Sequence, residues 1–133
     1  MRSAVDGVGA WLDGPATAEY DRKCTYVLGF SAGMMMAGAL ILDDPSRFGG
    51  AVLLSGAIAL DDGAAAPGRL AGVLIFLAHG TDDTVIPPEL VAQTKGYLRD
   101  RSGAVLTERS YACAHTIIRQ EIRDIAAWLE ERA

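Results

Sequence analysis

The stretch Cys24-Thr-Tyr-Val-Leu-Gly-Phe-Ser31-Ala-Gly33, followed by the apolar run 34–42, decides the fold of this chain. Its first half is rich in β-branched and aromatic residues, which favours a buried strand. The Gly-x-Ser-x-Gly turn that follows predicts an abrupt change from strand to helix, with glycines where the two elements almost touch. In such a turn the backbone of Ser31 is strained and its hydroxyl projects, so the stretch predicts a nucleophile elbow.

Two other interpretations of this stretch have to be weighed. Residues 24–42 carry no charge and are nearly long enough to cross a bilayer, which would make Ser31 part of a membrane helix. Against this, the strand-forming residues and the paired glycines break the run at its middle. The motif also fixes only three positions in a chain with fifteen glycines, so a chance match is the second alternative. The rest of the chain has to supply the context of strand and helix.

Length and composition indicate one globular domain over residues 1–133. Half of the residues are hydrophobic and 22% are charged, and a chain of this size buries about two-thirds of its unfolded surface. The net charge of −5 disfavours nucleic acid and anionic membranes as partners. No basic stripe in the sequence argues otherwise.

The termini and cysteines favour a cytoplasmic location. Residues 1–6 have no apolar leader pattern. Cys24 and Cys113 are predicted at opposite edges of the sheet, too far apart for a disulfide, which suits a reducing compartment. Neither cysteine belongs to a metal or redox motif, and the methionines 34–36 point apart on a helix, so no metal or cofactor is expected.

Periodicity predicts alternating strands and helices along the whole chain. A helix is predicted over 2–13, one after Ser31 to about residue 42, one starting near residue 87 and ending near residue 101, and one carrying the stripe Ile118, Ile122, Ile125 and Leu129. Strands are predicted over 24–30, 50–55, 72–79 and 105–111, with a loop over 56–70. Strands joined through helices predict a parallel α/β sheet with helices on both faces.

Three polar residues follow the carboxyl ends of three different predicted strands: Ser31, Asp83 and His115. Ligands gather at this end of a parallel sheet. A serine hydroxyl becomes a good nucleophile when an imidazole accepts its proton and a carboxylate orients that imidazole. The chain has two histidines; His79 precedes Asp83 and is interpreted as structural, which leaves His115 as the base. The order Ser, Asp, His is that of α/β-hydrolase triads.

Three motifs resemble the carboxylesterase/acyl-protein thioesterase branch of the α/β-hydrolase superfamily. They are GFSAG at 29–33, HGTDDTVIP at 79–87 and YACAHTI at 111–117. The resemblance implies a truncated α/β-hydrolase fold: a four-stranded, mostly parallel sheet with helices on both faces. It also implies that Asp83 is the catalytic acid and Asp82 a loop residue.

The resemblance extends to groups around the predicted triad. It implies that the backbone N–H of Ala32 is an oxyanion-hole donor. We also expect substrate contacts from Phe30, Met34 and Val85. The methionines 34–36 are interpreted as core residues, with Met34 at the border of the pocket. The predicted activity is hydrolysis of short-chain carboxylic esters through an acyl-enzyme. The alternatives are a thioesterase or lysophospholipase, and a catalytically weak remnant that serves as an oligomeric interaction module.

The resemblance covers only the C-terminal part of the family. The strands that precede the first helix in that family have no counterpart in the sequence. The loop after one of these strands is the usual source of the second oxyanion donor, so that donor is also without a counterpart. The segment 25–28 then becomes an apolar sheet edge with no proline or charge to protect it. We therefore expect a homodimer or higher homo-oligomer through the edge of the nucleophile strand.

Overall fold

The computed structural model describes residues 1–60, 63 and 65–132. It contains four strands and four α-helices over these residues. The strands are β1 (Tyr26–Phe30), β2 (Gly50–Leu54), β3 (Leu74–Gly80) and β4 (Val105–Tyr111). The helices are α1 (Arg2–Leu12), α2 (Ala32–Asp43), α3 (Pro88–Asp100) and α4 (Arg119–Glu130).

The strands form one sheet in the order β1-β2-β3-β4, and every neighbouring pair is parallel. Parallel neighbours need a long crossover, which α2 supplies between β1 and β2 and α3 between β3 and β4. All four carboxyl ends therefore lie at the same end of the sheet. This confirms the expected four-stranded parallel sheet.

Side chains of the two central strands alternate between two cores. One set packs with α1, α2 and α3, and the other packs with α4. The first set is Ala51, Leu53, Ile75 and Leu77; the second is Val52, Leu54, Phe76 and Ala78. Both faces of β2 and β3 are thus buried, which explains why these strands are almost continuously apolar in sequence.

The uncharged run 24–42 is divided between a strand and a helix. Cys24 was expected in the strand but lies in a short 3-10 turn over Arg22–Cys24. The side chain of Asp21 accepts a hydrogen bond from the N–H of Lys23 at 2.9 Å, which favours the turn. β1 therefore begins at Tyr26. Both Cys24 and Cys113 are free thiols.

Within the described ranges, no helix has the length and hydropathy needed to cross a membrane.

Candidate active site

Ser31 stands between β1 and α2 in a conformation that few residues adopt. Its backbone has φ 59° and ψ −118°, and α2 begins at the next residue. The N–H of Ser31 donates to the carbonyl of Leu54 at 2.9 Å, which ties the turn to the end of β2. A positive φ in a residue with a Cβ is strained and persists where the surroundings hold it.

Glycine is required at one end of the turn but not at the other. A Cβ on Gly29 would overlap the carbonyl group of Gly33, whereas a Cβ on Gly33 would meet open space. The expectation that both glycines avoid a clash is therefore wrong for Gly33. The second crowded position is Gly56, where a Cβ would lie 2.7 Å from the carbonyl oxygen of Ser31. Sequence reasoning missed Gly56 because its contact is made across two strands.

The side chains of Ser31, His115 and Asp83 form a continuous hydrogen-bonded chain. His115 Nε2 lies 2.8 Å from Ser31 Oγ, and His115 Nδ1 lies 2.7 Å from Asp83 Oδ2. A carboxylate only accepts, so Nδ1 carries the proton toward Asp83 and Nε2 is left to accept from the hydroxyl. This arrangement can draw a proton from Ser31 as the oxygen attacks an electrophile.

Asp83 is held in the ionised state despite complete burial of its side chain. Burial alone opposes ionisation, but the hydrogen bond with His115 and those from the backbone N–H groups of Val85 and Ile86 outweigh it and lower the pKa of Asp83. Val85 N lies 2.8 Å and Ile86 N lies 3.4 Å from Oδ1, which leaves Oδ2 for the imidazole. Both oxygens of the carboxylate are thereby fixed in direction.

The neighbouring Asp82 has a different role in the loop. Its residue is exposed, and its backbone N–H donates to the carbonyl of Cys113 at 3.0 Å. Gly80 lies beneath the same segment, because a Cβ there would overlap the carbonyl oxygens of Cys113 and Ala114. The loop after β3 and the segment carrying His115 are therefore packed backbone to backbone.

The other predicted site residues lie at different depths. The Phe30 ring centroid is 5.0 Å from that of His115, and Val85 is 60% exposed on the loop that holds Asp83. Ala32 is the first residue of α2, so its N–H belongs to the first-turn amides without an intrahelical acceptor. Met34 is 0% exposed within the core around α2. Met34 therefore lies in the core, in agreement with the interpretation of the methionines as core residues, and its place at the border of a substrate pocket stays a prediction.

His79 lies near the end of β3 and lines the same cleft as Asp83. The cleft has a volume of about 310 Å³, and its other lining groups include Val91 and Lys95 of α3. Its Nδ1 is buried without a hydrogen-bond partner among the described residues, and burial lowers the pKa of the imidazole. A neutral, packed histidine agrees with its interpretation as structural. In the described part of the chain, no three His, Cys, Asp or Glu residues cluster as a metal site would need.

A parallel sheet with a strained serine turn after its first strand is the arrangement of the α/β-hydrolase fold. The family model described as Phospholipase/Carboxylesterase matches residues 3–132. This chain therefore belongs to the phospholipase/carboxylesterase family. No curated protein sequence matches it.

Several solved structures share the fold at low sequence identity. Arabidopsis thaliana SOBER1 is 24% identical with a TM-score of 0.79, over 98% of this chain and 63% of that one. A Bacillus cereus carboxylesterase is 23% identical with a TM-score of 0.82, over 97% of this chain and 60% of that one. Zea mays acyl-protein thioesterase 2 is 18% identical with a TM-score of 0.74, over 98% and 65%. The chain thus spans less than two-thirds of the length of these structures.

Proposed function

We propose that this protein is a serine hydrolase that cleaves short-chain carboxylic esters through an acyl-enzyme intermediate. The observation that carries the proposal is the hydrogen-bonded chain from Asp83 through His115 to Ser31, with distances of 2.7 and 2.8 Å. The strained conformation of Ser31 and the buried, ionised Asp83 support it, because both are features of an activated nucleophile.

The mechanism begins with attack of Ser31 Oγ on the acyl carbon while His115 Nε2 accepts the hydroxyl proton. The carbonyl electrons move to oxygen, and the resulting oxyanion accepts a hydrogen bond from the N–H of Ala32. The intermediate collapses, the ester C–O bond breaks, and His115 returns its proton to the leaving alkoxide. A water molecule then gives its proton to His115 and attacks the acyl carbon. The bond from that carbon to Ser31 Oγ breaks, and His115 returns the proton to Ser31 Oγ as the acid leaves.

The turnover that we expect is slow. The elbow contributes one oxyanion donor, the N–H of Ala32, and removing one donor from a complete hole costs about 3 kcal/mol in the transition state. Phe30 and Val85 offer apolar surface near the reacting groups. We infer a preference for small acyl groups, such as those of p-nitrophenyl acetate and butyrate, from this modest surface.

The decisive experiment is covalent labelling with a fluorophosphonate probe. Wild-type protein is expected to be labelled, Ser31→Ala to lose all labelling, and His115→Ala to react far more slowly. Ser55→Ala is the matched control, because Ser55 also has a positive φ (52°) at the end of a strand but is 1% exposed. Absence of labelling in a folded protein would refute the hydrolase and favour the non-catalytic interaction module.

The leaving group is tested separately on ester, thioester and lysophospholipid substrates. The same three side chains serve all of these reactions, so a thioesterase or lysophospholipase is the nearest alternative to the esterase. Highest kcat/KM on a thioester or a lysophospholipid would replace the short-chain ester as the proposed substrate without removing the mechanism.

We also propose that copies of the chain associate through β1, most simply as a two-fold dimer. β1 has one neighbouring strand in the described part of the chain, and Leu28 at its centre is 56% exposed. The opposite edge strand, β4, carries the charged Glu108 and Arg109, which discourage pairing. An uncharged edge with an exposed leucine is the better template for a second copy.

Light scattering across a dilution series tests this assembly. Leu28→Lys is expected to shift the protein toward monomer because a lysine on the edge strand opposes pairing. Val105→Lys on β4 is the control, since Val105 is similarly exposed at 51%. A wild-type monomer at every concentration would refute the assembly. We propose the cytoplasm as the location, supported by the free thiols Cys24 and Cys113.

A further inference from the structure

The ring of Phe30 packs against the imidazole of His115. The two ring centroids are 5.0 Å apart and the ring planes are inclined by 33°, which lies within the range of favourable contacts between flat rings. Phe30 is partly buried, and it packs against the apolar cluster that contains residues of β2, β3 and α4. The residue directly before the predicted nucleophile therefore contacts the predicted base.

The backbone of Phe30 is held on both sides of the ring. Phe30 is the last residue of β1 and pairs in register with Leu54 of β2. The N–H of the next residue, Ser31, donates to the carbonyl of Leu54 at 2.9 Å. Because the strand and the turn both fix its position, the Phe30 ring is a stable surface for the imidazole.

His115 depends most on this surface when Ser31 carries an acyl group. In the free protein His115 Nε2 lies 2.8 Å from Ser31 Oγ, and Nδ1 lies 2.7 Å from Asp83 Oδ2. After acylation Oγ is an ester oxygen with no proton to donate, so the hydrogen bond to Nε2 is lost. The bond to Asp83 and the packing against Phe30 are the contacts described above that remain.

We propose that Phe30 is a positioning residue that holds the His115 imidazole in place during deacylation, when Ser31 no longer does so. The kinetic consequence rests on the proposed hydrolase function, whereas the contact between the two rings does not. In deacylation Nε2 accepts a proton from the attacking water, so the imidazole has to stay beside the acyl carbon. An imidazole that turns away from this place for part of the time slows the step.

A substrate contact from Phe30 leads to a different expectation. An apolar contact with the acyl group is made when the ester binds and reacts, so its loss lowers kcat/KM, which includes acylation. Loss of positioning slows the second half of the reaction instead, and the acyl-enzyme accumulates. The p-nitrophenolate leaving group needs no proton from His115, so p-nitrophenyl acetate keeps the two halves well separated.

The test compares Phe30→Leu, which removes the ring, with Phe30→Tyr, which keeps it. Tyr26→Leu is the matched control: Tyr26 lies on the same face of β1, packs against the same cluster, and has its ring centroid 5.7 Å from that of Trp128. The acylated fraction of each protein is measured by mass spectrometry during p-nitrophenyl acetate hydrolysis.

Phe30→Leu is expected to slow deacylation about tenfold while kcat/KM changes less than about threefold, so its acylated fraction rises. Phe30→Tyr and Tyr26→Leu are expected to keep both rates within about twofold of the wild type. Slower acylation with unchanged deacylation in Phe30→Leu would overturn the proposal in favour of a substrate contact. An equal rise of the acylated fraction in Tyr26→Leu would overturn it as well.

Proton NMR of the imidazole tests the contact without turnover. The chain has two histidines, and the signals of His115 are those that disappear in His115→Ala. We expect the ring current of Phe30 to shift these signals, Phe30→Leu to remove the shift, and Phe30→Tyr to retain it. Identical His115 signals in the wild type and Phe30→Leu would contradict the proposal.

The wild type alone decides the contact if Phe30→Leu does not fold. Nuclear Overhauser effects between the Phe30 ring and the His115 imidazole are expected, and their absence would overturn the proposal. If the wild type shows neither hydrolysis nor fluorophosphonate labelling, the proposed function fails, and the NMR comparison still decides whether Phe30 holds the imidazole.

Discussion

Charged side chains at the amino-terminal end of the sheet form ion pairs with each other. At the carboxyl-terminal end, a carboxylate and an imidazole are instead hydrogen-bonded in a chain that includes the hydroxyl of Ser31. Arg47, with a side chain 12% exposed, contacts Asp13 at 2.9 Å and Asp43 at 2.9 Å. These pairs join the ends of α1 and α2. At the other end, Asp83 is hydrogen-bonded to His115, and His115 is hydrogen-bonded to the hydroxyl of Ser31.

The two ends also differ in shape. The larger cleft, about 530 Å³, lies at the amino-terminal end and is lined by residues that include Trp11, Tyr26 and Arg47. The guanidinium of Arg47 in that cleft is already paired with the carboxylates of Asp13 and Asp43. The strained backbone of Ser31 lies at the other end of the sheet. The His115 imidazole lies beside it, with Nε2 as the acceptor for the serine hydroxyl. We therefore place the proposed chemistry at the strained, hydrogen-bonded groups and not at the larger of these two clefts.

The largest effect is expected from the carboxyl-terminal end. Ser31→Ala removes the attacking oxygen, and Asp83→Asn leaves the imidazole in the wrong tautomer, so each is expected to lower kcat about 10⁴-fold. The measurement is p-nitrophenyl acetate hydrolysis, with folding checked by circular dichroism. Arg47→Met is expected to leave kcat of the folded protein unchanged. A comparable loss of kcat in Arg47→Met would erase the distinction between the two ends.

The next effect concerns the two glycines of the elbow. Gly29→Ala is expected to destabilise the protein by about 3 kcal/mol or more, because the new methyl group meets a backbone carbonyl that cannot move aside. Gly33→Ala is expected to change stability by no more than about 1 kcal/mol, since its Cβ enters open space on a helix. Urea unfolding measures both. Equal losses would mean that the crowding at Gly29 is not what shapes the turn.

A smaller effect is expected from the amino-terminal ion pairs. Arg47→Met removes a mostly buried guanidinium with two carboxylate partners, so we expect a loss of about 2 kcal/mol, between the values for buried and surface pairs. Arg22→Ala breaks a more exposed pair with Asp13, in which the arginine is 50% exposed. That variant is expected to lose less than about 1 kcal/mol. The reverse order in urea unfolding would contradict the assignment of Arg47 as the main link.

The smallest effect is a contrast in how acids at the two ends respond to pH. Hydrogen bonds from Arg2 and Arg47 lower the pKa of Asp43. The native state therefore favours the ionised form, and its stabilising contribution is present above the usual pKa of about 4 and is lost as pH falls through the lowered value. In urea unfolding at a series of pH values, we expect the free energy of unfolding of Arg47→Met to decrease less steeply below about pH 4 than that of the wild type.

Glu121 at the other end has the opposite sign. Burial raises its pKa, so folding favours the neutral form, and stability falls as pH rises from the usual value of about 4 through the raised one. The tyrosine and cysteine that face it, Tyr111 and Cys113, also have raised pKa values. Urea unfolding of wild type and Glu121→Gln is expected to diverge with rising pH in favour of the variant. A constant difference would show that Glu121 does not titrate in this range.

Much of the fold was predictable because its signals are local. The glycines and strand-forming residues around Ser31 indicated the β1–α2 boundary, and continuous apolar runs indicated the buried β2 and β3. Errors arose where a distant contact decided the outcome. Gly56 carries no motif signal, yet the carbonyl oxygen of Ser31 crowds it. Gly33 matches the motif, but only Gly29 is crowded by backbone.

The sequence by itself determined the order of strands and helices, the serine turn and the set of polar residues that follow the strands. These follow from side-chain periodicity and backbone preference, which act over a few residues. Only the tertiary structure decided that His115 lies beside Ser31, 84 residues away, and beside Asp83, 32 residues away. Such distances depend on how the whole sheet packs and on which loops it presses together, and no short stretch of sequence encodes that.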